Sequence, residues 1–400
     1  MTETEYLNFN LFDGNKSQIQ RNSSFTIDDS SGKIVRVGHQ KDQNTEKQID
    51  LHGKYVMPGL INAHTHIMMS PQTNKLEYLS EAEITFTALN NLKELLRSGV
   101  TYIRDCGCAF DVDIKLARLQ QEGRLKGTEI MPSGRPMSMT GGHGDFIEGL
   151  DGETRWGYLT DSSDEMRKAV RTAFKHGAKN IKVMATGGVM SSTDQIDDTE
   201  LSEEEIRTAV EEAHSKHMTV AAHAEGARGI HNAILAGVDS VEHGSYVTDE
   251  DIESMLKQGT YLTSTLIAAY VIPKYGEGKL PQYMLDKTNS FIETYFKRIG
   301  AAVKAGVKLS FGTDAGTPFN DFKATPFELQ LLTEVGASNE QALFAASKNN
   351  SELLNIDNDY GTLENNKYAD FLVLDENPLE DIKAVQQSDK EVYKKGVRVY

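Results

Sequence analysis

Between residues 59 and 355 the chain alternates strand patterns with helical patterns, and this alternation limits its possible folds more than any other feature. Short apolar runs fall at 59–66, 100–107, 129–136, 180–188, 219–226, 238–245, 260–266 and 308–316, with helical patterns between them. The stretch "EAEITFTALNNLKELLRSG" carries apolar residues at helical spacing and stops at a glycine. The stretch "LSEEEIRTAVEEAHSKHM" opens with Ser202 and Glu205, three apart, which predicts a capping box. Eight strands alternating with helices over this length predict an α/β chain closed into a (β/α)8 TIM barrel. An open doubly wound sheet is the competing architecture, but no G-x-G-x-x-G opens a helix after the first strand.

Both chain ends have a different character. Residues 1–58 hold short strand-like pieces such as "SSFTIDD" and "GKIVRVG", parted by polar turns. Residues 356–400 repeat that texture in "YADFLVLDENP" and "KEVYKKGVRVY". The expected organisation is one small all-β unit from 1–58 plus 356–400, flanking a barrel domain at 59–355. Two connections, 137–165 and 267–298, are too long for simple turns. In a barrel, the loops after strands lie over the catalytic face.

A net charge of −17 argues against nucleic acid or an anionic membrane as the main partner, since both need a basic footprint. The first residues lack a positive start followed by an apolar core, so no signal peptide is expected. No apolar run approaches the ~20 residues of a membrane span. Cys106 and Cys108 sit too close for a structural disulfide, and reduced thiols in a cytoplasmic protein are the expectation.

The polar residues at the strand ends carry the functional signal. His64 and His66 are two apart at the end of the first strand, so they share a face. His223 ends the fifth strand, His243 the sixth and Asp314 the eighth; Lys182 lies within the fourth. A lone strand histidine is usually a hydrogen-bonded core residue, and an aspartate before glycine is usually a turn. Four imidazoles and a carboxylate at corresponding strand ends form a plausible metal-ligand set. An ammonium from Lys182 beside metal ions would suffer both desolvation and like charge. Either the side chain snorkels outward between helices, or it has reacted with carbon dioxide. A carbamate would be an anionic ligand able to join two metals. Charge favours that reading: a carbamate, Asp314 and a hydroxide offset three of the four positive charges of two divalent ions.

The segments "PGLINAHTH", "GGHGD", "IKVMATGGVMS", "VAAHAEG", "DSVEHGS", "FGTDAGTP" and "YADFLVLDENPLEDI" follow one another along nearly the whole chain. In them the sequence resembles the amidohydrolase superfamily, within its imidazolonepropionase-related branch of Xaa-Pro dipeptidase-like and arginine/lysine carboxypeptidase-like enzymes. The resemblance implies a barrel with a β-sandwich built from both ends, and a binuclear centre, commonly zinc, bridged by a carboxylated lysine. It implies that His64, His66 and Asp314 hold one metal and that His223 and His243 hold the other. The carbamate of Lys182 and a bridging hydroxide would join them. Asp314 would serve as base and then acid around attack of that hydroxide. His143 in "TGGHGDF" matches a family position near the scissile carbonyl and is expected to stabilise the oxyanion; otherwise it orders a glycine-rich loop.

Substrate features are sparser. Where dipeptide-cleaving relatives often carry tyrosine or histidine, this chain has Glu225, which either attracts a substrate cation or supports a metal-bound histidine. Arg135 is the candidate partner for a substrate carboxylate. Asp194, Asp197 and Asp198 in "SSTDQIDDTE" read as a solvated turn or as an acidic lip for lysine and arginine side chains. Tyr246, Tyr270 and Tyr275 are candidate wall residues. The expected reaction is hydrolysis of a dipeptide such as Xaa-Pro or Xaa-Arg/Lys, or of an N-acyl amino acid. A cyclic amide of imidazolonepropionase type is the runner-up, and a barrel scaffold without metal is the non-enzymatic alternative. Relatives of this kind often form homo-oligomers, which is the expectation here. The same ligands also suit nickel, manganese and iron.

Overall fold

The structure is a computed structural model describing residues 2–38, 47–72, 79–145 and 156–400. Its middle is a series of parallel strands: β1 (Leu60–Thr65), β2 (Val100–Asp105), β3 (Glu129–Met131), β4 (Asn180–Met184), β5 (Thr219–Ala224), β6 (Ser240–His243), β7 (Tyr261–Thr263) and β8 (Leu309–Ser310). β1, β2 and β3 pair in one arc, and β4 through β8 pair in order in a second. Hydrogen bonds stitch the arcs at both edges. Ala63 N donates to Phe311 O at 2.9 Å, and Lys179 N donates to Pro132 O at 2.8 Å. Met137–Ser138 and Tyr158–Leu159 add a short parallel pair beside β4. β1, β4, β5 and β6 are buried along their whole length, as expected of parallel strands covered on both sides.

Helices cover the outside. α1 (Glu81–Ser98) begins at a Ser80–Glu83 capping box and ends at Gly99, whose φ of +102° suits a residue without a Cβ. α4 (Glu203–His214) starts with the Ser202–Glu205 box that the sequence predicts. Each such cap contributes about 1 kcal/mol by satisfying helix N–H groups that would otherwise lack acceptors.

Several strands end sooner than their apolar runs suggest. The runs at 129–136, 180–188, 260–266 and 308–316 pair only over 129–131, 180–184, 261–263 and 309–310. Beyond three of these ends lie left-handed residues that a strand cannot hold: Gly134 (φ +65°), Thr265 (φ +49°) and Asp314 (φ +57°). Asp314 is therefore a loop residue, four positions past β8. The long connection 267–298 is not an irregular loop. It holds most of α7 (Leu266–Tyr275) and α8 (Gln282–Ala305). In the other connection, 146–155 lies outside the described residues.

The two chain ends meet in one eight-stranded sheet. Its strand order is Val397–Arg398, Glu391–Lys394, Phe371–Leu374, Tyr55–Pro58, Glu3–Leu11, Gln20–Asp28 and Lys33–Gly38, with Lys47–Asp50 pairing Glu3–Leu11. Tyr6, Phe9, Phe25, Phe371 and Tyr393 form its core, separate from the main core under the helices. The rings of Phe371 and Tyr393 stack at 4.3 Å. Among the described residues, no helix is long and apolar enough to cross a membrane.

Candidate active site

At the C-terminal ends of the parallel strands four imidazoles form a continuous cluster. Ring centroids lie 5.5 Å apart for His64–His66, 5.0 Å for His64–His243 and 4.7 Å for His223–His243. Asp314 Oδ1 approaches His64 Nε2 at 3.4 Å and His66 Nε2 at 3.3 Å. Lys182 enters from β4 and is only 1% exposed, which rules out the outward snorkel. Its Nζ lies 3.4 Å from His64 Nε2. Lys182 from the middle of β4, His64, His223 and His243 from the last two positions of their strands, His66 just past β1 and Asp314 from the loop after β8 thus reach one chamber.

Every imidazole has one nitrogen engaged by the protein. His64 Nδ1 lies 2.6 Å from Glu242 Oε2, and His66 Nδ1 lies 3.1 Å from Gly107 O. His223 Nε2 lies 3.0 Å from Gly187 O, and His243 Nδ1 lies 2.7 Å from Thr265 Oγ1. Such contacts fix the ring and leave the other nitrogen to present a lone pair. Burial, reinforced by Lys182, pushes the His64 pKa down to about 4 even against Glu242. Burial likewise drives His223 and His243 well down, helped by the neighbouring imidazoles. Neutral imidazoles are the form that ligates a metal. Cys106 also lies near His64 and Glu242. Burial pushes its thiol up to about 12, so it stays protonated and is a poor ligand.

About 740 Å³ of space lies between the atoms that line the chamber, part of it open to solvent. Its polar side is the histidine cluster with Asp314, Glu225, Ser245 and Thr317. The opposite wall is apolar and includes Met69, Trp156, Met190, Ile272 and Phe291. His143 lies in the chamber and stacks on His223, with centroids 4.5 Å apart and planes at 15°. Glu225 also faces it. Ser245 Oγ donates to the Glu225 carboxylate at 2.8 Å, and burial raises that group to about 7. The Glu225–His223 approach is 3.9 Å, longer than the Gly187 contact that orients the ring.

Other sequence candidates lie elsewhere. Arg135 approaches Asp111 at 3.6 Å and packs over Tyr158, outside the chamber lining. Its reach is spent on the neighbouring acid. Tyr246 lines a separate surface cavity with Asp197 and Arg298. Tyr270 packs on Phe327, and Tyr275 is largely exposed. Asp194 is no solvated turn residue: it is 3% exposed and bonds His143. Asp198 accepts the Gln195 N–H within its own turn.

Sequence reasoning missed Glu242, Arg104 and Tyr295. Arg104 lies fully buried between strands and donates to Ala63 O, Ser240 Oγ and Glu242 Oε1, the last at 2.7 Å. Burial alone would raise Glu242, but Arg104 and the His64 hydrogen bond hold it well below the usual carboxylate range. The charged residues inside the apolar runs "VTYIRD" and "SVEH" were the available signal. Tyr295 comes from α8, within the connection 267–298.

A sequence model of the amidohydrolase family matches residues 55–399. The chain belongs to the amidohydrolase family. Ochratoxinase of Aspergillus niger is 33% identical over 362 residues, spanning 83% of this chain and 72% of that protein. Imidazolonepropionase of Acinetobacter baumannii is 22% identical over 373 residues, spanning 83% of this chain and 82% of that protein. A solved Xaa-Pro dipeptidase with methionine bound in its active site superposes with a TM-score of 0.90 at 30% identity, covering 99% of each chain. The crystal structure of the A. niger ochratoxinase superposes at 0.87 and 29% identity, covering 99% of this chain and 95% of that one. These relations make this amidohydrolase a TIM-barrel enzyme that hydrolyses amide C–N bonds of a small molecule. Divalent metals are the general cofactors of its family.

Proposed function

We propose that this amidohydrolase is a binuclear-metal enzyme cleaving the amide or peptide bond of a dipeptide or N-acyl amino acid. The observation that carries the reading is the convergence of His64, His66, Lys182, His223, His243 and Asp314 on one buried chamber. The donor set fits a divalent cation: ligand atoms of His64, His66 and Asp314 lie within 4.8 Å of one another. Nitrogen and oxygen donors of this kind suit zinc. In this reading His64, His66 and Asp314 hold one ion and His223 and His243 the second. Lys182, once carboxylated by carbon dioxide, would add the anionic oxygen donors of a carbamate to the set. Bound there, the metals would supply hydroxide near neutral pH and polarise the scissile carbonyl.

The protein's own groups do the rest. Burial disfavours ionisation of Asp314, yet the hydrogen bond from His66 and the neighbouring His64 hold its pKa below the usual range. It is therefore a carboxylate at neutral pH, able to take the proton of the attacking water and return it to the departing nitrogen. With Nδ1–H given to the Asp194 carboxylate, His143 would donate Nε2–H to the carbonyl oxygen as the doubly protonated ring while charge develops there. The wall of Met69, Trp156, Met190, Ile272 and Phe291 would seat an apolar side chain and exclude water. The likeness to an Xaa-Pro dipeptidase at 30% identity, against 22% for imidazolonepropionase, supports a linear amide over a cyclic one.

A panel of dipeptides, N-acyl amino acids and an imidazolone-type cyclic amide, assayed with zinc and bicarbonate, tests the proposal. Turnover of linear amides is expected. Turnover of the cyclic amide alone would move the reading to the imidazolonepropionase type. Metal-free protein without turnover would mark a scaffold.

A further inference from the structure

The segment 187–194, between β4 and α4, lies against the His143 ring like a strap. A Cβ on Gly188 would come within 2.6 Å of His143 Cε1, so the strap packs at the ring's edge. Asp194 closes it. Its Oδ2 lies 3.0 Å from His143 Nδ1, and its Oδ1 accepts from Gly188 N and from Lys287 Nζ, both at 3.1 Å. Lys287 projects from α8 and is 8% exposed. Its ammonium also donates to Gly188 O and Ser191 O, both at 2.8 Å. Tyr283, one helical turn earlier, donates to Met190 O at 3.1 Å. The helix therefore grips the strap through several backbone carbonyls and one carboxylate.

His143 is constrained on every side that the structure describes. Glu200 accepts its backbone N–H at 2.7 and 2.9 Å, His223 covers one ring face, and Asp194 occupies Nδ1. Nε2 has no hydrogen-bond partner among the described residues, which leaves it to the chamber. A buried ammonium–carboxylate pair is a poor device for stability alone, because desolvation offsets most of the attraction. It is an effective device for fixing one geometry, and a catalytic contact needs its donor held to a fraction of an ångström.

We propose that Asp194, clasped by Lys287, is a positioning residue that accepts the Nδ1–H of a doubly protonated His143 and aims its Nε2–H at the carbonyl oxygen of the scissile amide. The inference rests on the reading that His143 meets the substrate. It adds a function for an acidic residue that the sequence reads as part of a solvated turn or of an acidic lip, and for a lysine far away in sequence.

The test is a double-mutant cycle on the metal-loaded enzyme, using an amide that the parent hydrolyses. Asp194→Asn is expected to lower kcat by about 10-fold or more, with a smaller change in KM and unchanged metal content. In a His143→Ala background the same substitution is expected to cost less than about 2-fold, because its route of action is gone. Lys287→Met is expected to show the same non-additivity, and it carries the cycle if Asp194→Asn fails to fold. Asp194→Glu, which keeps the charge, is expected to recover part of kcat. Equal losses from Asp194→Asn in both backgrounds, or no loss in either, would overturn the inference alone. Full activity of His143→Ala would overturn the role of His143 and this inference with it.

Discussion

Replacing Glu242 with leucine should expose two separate duties of one buried carboxylate. Glu242 and Arg104 are both fully enclosed, and Oε1 accepts from Arg104 at 2.7 Å while Oε2 holds His64 Nδ1 at 2.6 Å. Leucine preserves most of the volume but strands the guanidinium without a counter-charge. Breaking a buried pair in this way costs about 3–5 kcal/mol, a large part of the ~5–15 kcal/mol that stabilises a typical fold. A fall in Tm of about 4–6 °C is expected for a chain of this length. His64 also loses the acceptor that fixes its ring, so metal affinity should fall by about 10–100-fold. Adding Arg104→Met removes the stranded charge, and that double variant should regain most of the lost stability. It should not regain metal affinity, because His64 Nδ1 still lacks its acceptor. Thermal unfolding of the metal-free proteins and chelator competition read the two quantities separately. A single variant that loses less than about 1 kcal/mol would refute the charge argument. A double variant that binds metal as tightly as the parent would refute the orienting role.

Three further outcomes follow from the same geometry. Tyr295 is buried in the chamber wall, and among the described residues its hydroxyl makes no well-formed hydrogen bond; Thr265, the polar group beside it, is engaged with His243. Tyr295→Phe should therefore raise KM for a good substrate by about 10-fold with metal content unchanged, and an unchanged KM would remove the phenol from substrate binding. Glu225→Gln should impair hydrolysis of Lys- or Arg-containing dipeptides more than neutral ones, and equal losses would remove its role in cation recognition. Burial raises Glu328 to about 8 against hydrogen bonds from Ile267 N, Leu266 N and Ser264. The folded chain then binds a proton that the unfolded chain releases between roughly pH 4.5 and 8, so this group makes stability fall as pH rises through that window. Relative to Glu328→Gln, the parent's Tm should drop between pH 5 and 8.5; a flat or opposite difference would refute the assignment.

How much of this was legible beforehand depended on whether the signal was local. The β/α alternation, the Ser202 cap and the histidine spacing depend on neighbouring residues, and all can be read along the chain. Strand ends were overestimated because apolar side chains continue past the last paired residue into loops that still face the core. Asp314 is the clearest case: it lies beside the histidines with its side chain 13% exposed, yet its φ of +57° takes it out of the strand. Arg135 and Tyr246 were plausible by type but lie outside the chamber, since chemistry alone does not say which way a side chain points. Arg104, Lys287 and Tyr295 acquire their roles only through contacts with residues from distant parts of the chain, and no local pattern encodes these.

The central claim is that Lys182, the four histidines and Asp314 together hold a pair of divalent ions. Metal analysis of protein dialysed against zinc and bicarbonate, set beside the Lys182→Ala variant, tests it most directly. The account predicts about two equivalents per chain in the parent and a marked loss in the variant. Less than one equivalent in the parent, or undiminished metal and turnover in the variant, would contradict it.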